Sequence, residues 1–184
     1  MAVDDQKGRL RGVGHHASLD AAADTPIPRI RRRIMPSAEP FAAEEGLTWL
    51  RSRGAGSLAE KMGFEWVEFS PERAIARMPV EGNTQPVGLV HGGAYVVLAE
   101  SLGSMHANYH AHLTANGAER LAVGVDINAT HTRSAREGWV TGTCVPLHLG
   151  RSITVHEIVC RDDDGNRLST IRITNMIKDL APAS

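Results

Sequence analysis

The clearest periodicity in the chain runs through GLVHGGAYVVLAESLGSMH, residues 88–106. There Ala94, Val97, Leu98, Ser101, Leu102 and Met105 recur at the i, i+3, i+4, i+7 spacing of one helix face, which predicts a long buried helix. On either side the period drops to two. FEWVEFS and ERAIARMPV alternate apolar and polar residues around a Ser-Pro turn, as a β-hairpin does. Beyond a loop near Asn116 and Gly117, LAVGVDINATHTRS sets Val123, Val125, Ile127 and Ala129 on one face and Gly124, Asp126 and Asn128 on the other, the pattern of a half-buried strand. Three more strands are predicted: GWVTGTCVPLHL after the Glu137-Gly138 turn, SITVHEIVC, and RLSTIRITNMI after the turn RDDDGN with its Asp164-Gly165 pair. Ahead of all these, FAAEEGLTWLRSRGAGSLAEKMGF carries helix formers interrupted at Gly54 and Gly56, so it reads as one broken helix or two short ones.

The order is helix, two strands, one long helix and four strands joined by hairpin-sized turns. An α+β fold follows, an antiparallel sheet wrapped around a central helix. Such a sheet leaves two edges to be hidden, and pairing edge to edge in a dimer hides them. Residues 1–40 have no sustained period and are broken by prolines, so they read as a flexible arm ahead of a domain at 41–180. The arm's Arg29, Arg31, Arg32 and Arg33 have no aromatic residues interleaved and read as a solvated basic stretch.

Composition narrows the classes of function. At 184 residues with 42% hydrophobic and 22% charged positions, the chain suits one domain with a real core. A formal charge of −1 offers no general attraction to phosphate backbones or anionic lipid, so neither nucleic acid nor membrane is expected as a partner. No apolar run is long enough to span a bilayer, and the first twenty residues lack the apolar core of a secretory signal, so the chain reads as cytoplasmic. Cys144 and Cys160 have no CxxC spacing and are expected to be buried, inert thiols.

The chemistry of the central helix lies in its glycine start and its one carboxylate. Gly92 and Gly93 weaken a helix but let another group approach the backbone closely. First-turn amides have no intrahelical partner and sit at the positive end of the dipole, so they suit an oxygen that is becoming negative. Glu100 lies eight residues beyond Gly92, about 12 Å along the axis, too far for both to meet one carbonyl carbon from the same helix. Acting together, they would come from two subunits. The competing reading of Glu100 is a solvated residue on the exposed side of the helix. A metal site at His106, His110 and His112 is weaker, since HExxH is absent and the three sit at the end of the helix beside a loop. Ser101, Ser104 or Cys144 as a nucleophile lacks a GxSxG elbow or a cysteine motif.

QPVGLVHGGAYVVLAESLGSM followed by VGVDINATHTRSAREGWVTGTCVPLHLGRS resembles the hotdog-fold acyl-CoA thioesterases, PaaI-like superfamily. The likeness is to the branch with 1,4-dihydroxy-2-naphthoyl-CoA hydrolase, the enterobactin proofreading thioesterase and the Glu-type 4-hydroxybenzoyl-CoA thioesterases, and it covers about residues 45 to 178. The resemblance implies that Glu100 is the catalytic carboxylate, as base or nucleophile, and that the Gly92 amide is the oxyanion donor. It places Gln85 near the thioester carbonyl, His91 at the opening of the motif, and Ser104 beside Glu100, where i, i+4 spacing indeed puts it. Gly124, His131, Thr132, Arg133 and Ser134, with His148, Leu149, Gly150, Arg151, Ser152 and Ile153, match positions lining the acyl and CoA sites; Arg133 and Arg151 suit the CoA phosphates. The implied assembly is a homodimer with sites at the subunit interface, arranged as a dimer of dimers. No cofactor is implied, since coenzyme A belongs to the substrate.

Tyr95, His106 and a longer loop, ANYHAHLTANGAER, depart from the pattern and are expected to reshape the acyl pocket. An aromatic acyl-CoA is the first expectation, and a medium-chain or carrier-protein thioester the second. A non-catalytic acyl-CoA sensor and a dehydratase are the rival functions open to the same fold. The carboxylate at 100 and an arm with no helix-turn-helix pattern favour hydrolysis.

Overall fold

A computed structural model describes residues 40–180. Except for Pro40, the expected arm and its arginine cluster lie outside the described residues. The Gly54–Gly56 break separates two helices, α1 (Pro40–Arg53) and α2 (Ser57–Lys61), and both glycines hold positive φ, which a continuous helix does not allow. Then follow β1 (Glu65–Phe69), β2 (Ala74–Pro79), the central helix α3 (Gly92–Leu113), β3 (Arg120–His131), β4 (Trp139–Leu149), β5 (Ile153–Arg161) and β6 (Arg167–Asp179). The strands form one antiparallel sheet in the order β1-β2-β4-β5-β6-β3, curled around α3 as the hotdog arrangement requires. The chain crosses from β2 through α3 to the far edge at β3, crosses back to place β4 beside β2, and then fills in β5 and β6 toward β3, which leaves β1 and β3 as the edges.

The inward positions of the sheet are the apolar half of each period-two pattern. Met78, Val140, Ile158, Leu168, Ile171 and Ile173 are fully buried and meet Tyr95, Leu98 and Leu102 of α3. Each such side chain contributes about 1.5–3 kcal/mol on leaving water. Contact is closest at Gly103, where any Cβ would collide with Ile173, so this glycine sets how near the helix lies to the sheet. α1 covers the β1 side: Trp49 stacks on Phe69 with ring centroids 6.0 Å apart and packs against Tyr109 at 5.0 Å.

Two expectations change. The segment expected as a loop after His106 remains helical to Leu113, and only Thr114–Glu119 turns. Ala107, Tyr109 and Ala111 are buried, so the helix continues to pay its way in packing where its polar residues obscure the stripe. In β3 a bulge at Val125, between the pairs Gly124–Asn175 and Asp126–Thr174, shifts the phase. Ala122 and Gly124 therefore face the helix together with Ile127 and Ala129, while Val123 and Val125 are 40% and 51% exposed.

His106 is not at a helix end but in the middle of α3, facing the core. Its Nε2–H donates to the Ser70 carbonyl at 2.9 Å, so its Nδ1 accepts from His156 Nε2–H at 3.0 Å. Both rings are buried and neutral; burial pushes His106 down to about 4 and His156 to about 3. Since an unfolded histidine binds its proton near pH 6.5, the unfolded chain binds more protons than the native one below that pH. Stability is therefore expected to fall as pH drops from 6.5 toward 4, by about 1.4 kcal/mol per unit for each histidine. Urea midpoints at pH 7, 6 and 5 read this, a window in which ordinary carboxylates stay largely ionised. A flat profile would show that the pair takes up protons in the native state.

Candidate active site

The residues singled out in the sequence fall into three groups along α3, whose 22 residues span about 33 Å. The first surrounds its N-terminus. The 81–91 loop is fastened by Asn83, whose Nδ2 donates to the Met62 and Pro79 carbonyls, both at 2.9 Å, and whose carbonyl accepts from His91 N–H at 2.9 Å. Within the loop Gln85 exchanges backbone bonds with Leu89 and Gly88, which returns it toward the helix start. His91 is the N-cap: its Nδ1 accepts from Gly93 N–H at 2.9 Å. The Gly92 N–H is left without a hydrogen-bond partner among the described residues.

The segment after β3 closes on this group. Val90 N–H donates to the Ala135 carbonyl at 3.0 Å, and Thr132 and Arg133 N–H both donate to the Leu168 carbonyl. His131, Thr132, Arg133 and Ser134 are consequently exposed beside the helix start. Ser169 Oγ donates to the Thr130 carbonyl, so His131 Nδ1–H donates to Ser169 Oγ at 2.9 Å. His131 Nε2 then faces Gly92, 3.2 Å from where a Cβ at that position would stand. Close approach explains a glycine here.

The second group is at mid-helix. Ser104 Oγ–H donates to Glu100 Oε1 at 2.8 Å and accepts from Asn175 Nδ2 at 3.0 Å. Asn175, fully buried on β6, thus orients the hydroxyl that orients the carboxylate. A Cβ on Gly124 would stand 2.5 Å from Glu100 Oε1, so only glycine at that strand position leaves the carboxylate its place. Asn108, one turn past Ser104, binds the β3 backbone at Ala122 through both Oδ1 and Nδ2 and holds the strand edge against the helix. Glu100 is half-buried in this network rather than solvated on an outer face. Asn83, Asn108, Asn175 and Ser169 were not singled out from the sequence; the available signal was an inward polar residue within an apolar alternation, as in ITNMI.

The third group, His148 to Ile153, lies at the opposite end of α3, where His110 Nε2–H donates to the Gly150 carbonyl at 3.2 Å. Gly92 and Glu100 are two helical turns apart within one chain, as expected from spacing. Tyr95 and His106 are buried at 2% and 1% exposure; Tyr95 packs against His131 with ring centroids 5.2 Å apart, and His106 meets Phe69 and His156 in the core. Cys144 and Cys160 are fully buried; burial raises both thiols, Cys160 to about 12, which leaves neither suited to nucleophilic work. Among the described residues no three His, Cys, Asp or Glu side chains converge on a metal site, and no helix is long and apolar enough to cross a membrane.

A long helix enclosed by one antiparallel sheet, with capped glycines at its start and a braced carboxylate at its centre, is the hotdog architecture. The profile of the thioesterase superfamily matches residues 87–169. The chain is 43% identical over 129 residues to the 1,4-dihydroxy-2-naphthoyl-CoA hydrolase of Escherichia coli, covering 70% of this chain and 91% of that protein. It is 42% identical over 129 residues to the proofreading thioesterase EntH of Cronobacter turicensis, with 70% and 90% covered. A crystallised mutant thioesterase from Pseudomonas aeruginosa superposes with a TM-score of 0.66 at 37% identity, over 73% of this chain and 94% of that one. The chain belongs to the hotdog-fold thioesterase superfamily and is a thioester hydrolase.

Proposed function

We propose that this protein hydrolyses acyl-CoA thioesters to the free acid and CoA, with an aromatic, hydroxylated benzoyl- or naphthoyl-type acyl group. The working unit is a homodimer, paired again into a dimer of dimers, with each site shared between subunits. Glu100 of one subunit activates water or attacks the thioester, and the Gly92 amide of the other stabilises the oxyanion. Gln85 and His91 orient the carbonyl. Ser104 holds the carboxylate, while Gly124, the 131–134 segment and the 148–153 segment line the acyl and CoA sites.

The observation that carries this reading is the Asn175–Ser104–Glu100 chain facing Gly124, a carboxylate braced through two part-buried hydrogen bonds in series with space kept clear beside it. His91 supports it by capping through Gly93 and so leaving the Gly92 donor available. The shared site is supported by β3, a 12-residue edge strand with Leu121, Val123 and Val125 exposed, where a second copy would extend the sheet. The relative named as a 1,4-dihydroxy-2-naphthoyl-CoA hydrolase supports the substrate class.

Thiol release from matched aromatic and straight-chain acyl-CoAs tests it. Aromatic esters are expected to give a kcat/KM at least about tenfold above the straight-chain series, the scale of discrimination a shaped apolar pocket supplies. Faster straight-chain turnover would overturn the acyl assignment. Binding of CoA esters without release of thiol would identify a sensor instead.

A further inference from the structure

Three buried polar atoms on the inner face of the sheet have no protein partner among the described residues: Thr154 Oγ1, His156 Nδ1 and Asn175 Oδ1. All three residues are fully buried, Thr154 and His156 two apart on β5 and Asn175 on the adjacent β6. Thr154 and Asn175 are cross-strand partners, and His156, paired with Ile173, is the diagonal neighbour of Asn175. Directly opposite side chains stand about 4.5–5.5 Å apart at Cβ, and diagonal ones lie within reach of a long side chain, so the three form one triangle on the sheet. The helix above it carries small residues: Ile173 meets Gly103, and Ile177, two positions beyond Asn175, clusters with Ala107.

The donor and acceptor roles of the three atoms complement a single water. His156 carries its proton on Nε2, which donates to His106 Nδ1, so His156 Nδ1 is an acceptor. Asn175 Oδ1 is an acceptor as well, because the Nδ2 of the same amide donates to Ser104 Oγ. Thr154 Oγ1–H is the one donor. A water that accepts from Thr154 and donates to Asn175 and His156 makes three bonds, the usual number for a buried water, and leaves none of the three atoms unpaired.

We propose that Thr154, His156 and Asn175 bind one structural water, and that this water fixes the Asn175 amide so that the Ser104 hydroxyl stays donated to Glu100. Thr154 and His156 are thereby positioning residues of the carboxylate, although neither touches the reacting atoms. The inference rests on the reading of Glu100 as the catalytic group. Without a donor at Oδ1 the Asn175 amide can turn over, and Ser104 Oγ–H then donates to Asn175 Oδ1 instead of Glu100 Oε1. The carboxylate loses its brace with the backbone unchanged.

Thr154→Val removes the hydroxyl and keeps the shape of the side chain. It is expected to lower kcat about tenfold with KM unchanged, the effect of one buried hydrogen bond, and Thr154→Ser, which keeps the hydroxyl, to restore it. In the Glu100→Gln background Thr154→Val is expected to have no further effect, since the group it positions is gone. A crystal structure of the wild type is expected to show one water about 2.7–3.2 Å from all three atoms. Full kcat in Thr154→Val, the same tenfold loss in the Glu100→Gln background, or no water between the three side chains would overturn the proposal. Melting curves identify a variant that fails to fold, and His156→Phe, which also removes one of the water's partners, then replaces Thr154→Val with the same expected split. Loss of turnover in Glu100→Gln without loss in Thr154→Val would overturn the water site alone; wild-type turnover by Glu100→Gln would overturn the reading of Glu100 and the positioning role with it.

Discussion

Glu100→Gln is expected to lower kcat by about 10³-fold or more on any thioester the wild type hydrolyses, with KM changed only a few-fold. The substitution is nearly isosteric. Ser104 Oγ–H can still donate to an amide oxygen where it now donates to Glu100 Oε1, so the bond from Asn175 through Ser104 survives and melting temperature should stay close to wild type. What disappears is the capacity to take a proton from water or to attack the carbonyl, and both roles of the carboxylate predict the same loss. Steady-state thiol release, read beside a melting curve, checks it. Retention of a tenth or more of wild-type kcat would remove Glu100 from the chemistry and return it to a bracing role beneath Gly124.

How far the site could be read from sequence depends on which physical constraint set each residue. Leu98, Leu102 and Met105 betray their helix because burial on one side is written directly as a period. The strands β4, β5 and β6 likewise show their phase over most of their length, since one face packs on α3 and the bulge at Leu147 disturbs only the end of β4. In β3 the same reasoning put Val123 and Val125 inward, and it failed because the bulge at Val125 answers to a tertiary demand. The Glu100 carboxylate needs a residue without a side chain opposite it, and Gly124 can face it only if the strand slips by one position. No local pattern records that demand. The end of α3 was hidden for a related reason: Asn108 and His110 are polar because they bind the β3 backbone and the Gly150 carbonyl, so they break the apolar stripe without ending the helix. Asn175 and Ser169 become informative only when strand pairing shows that they point inward.

Gly92→Pro is expected to remove about 10²- to 10³-fold from kcat while leaving the helix in place, the cost of deleting one oxyanion donor. Gly92 is the first residue of α3, the position where proline is favoured because the N–H it lacks has no intrahelical acceptor. His91 before it has φ −67° and ψ 131°, the extended conformation that a residue preceding proline adopts. The added Cβ meets His131 Nε2 at 3.2 Å, and Gly92→Ala adds the same carbon while keeping the N–H. Alanine is therefore the control, expected within a few-fold of wild type. The decisive form of the experiment mixes subunits. In a heterodimer of a Gly92→Pro chain and a Glu100→Gln chain, isolated through two different tags, a shared site places both lesions in one active site and neither in the other. About half of wild-type activity should return from two nearly inactive parents. If each site were instead built within one chain, every site in the heterodimer would carry one lesion and activity would stay at the level of the parents. The distance of two turns between Gly92 and Glu100 on a rigid helix makes the first outcome the expected one, because neither group can travel along the axis to meet the other at a single carbonyl.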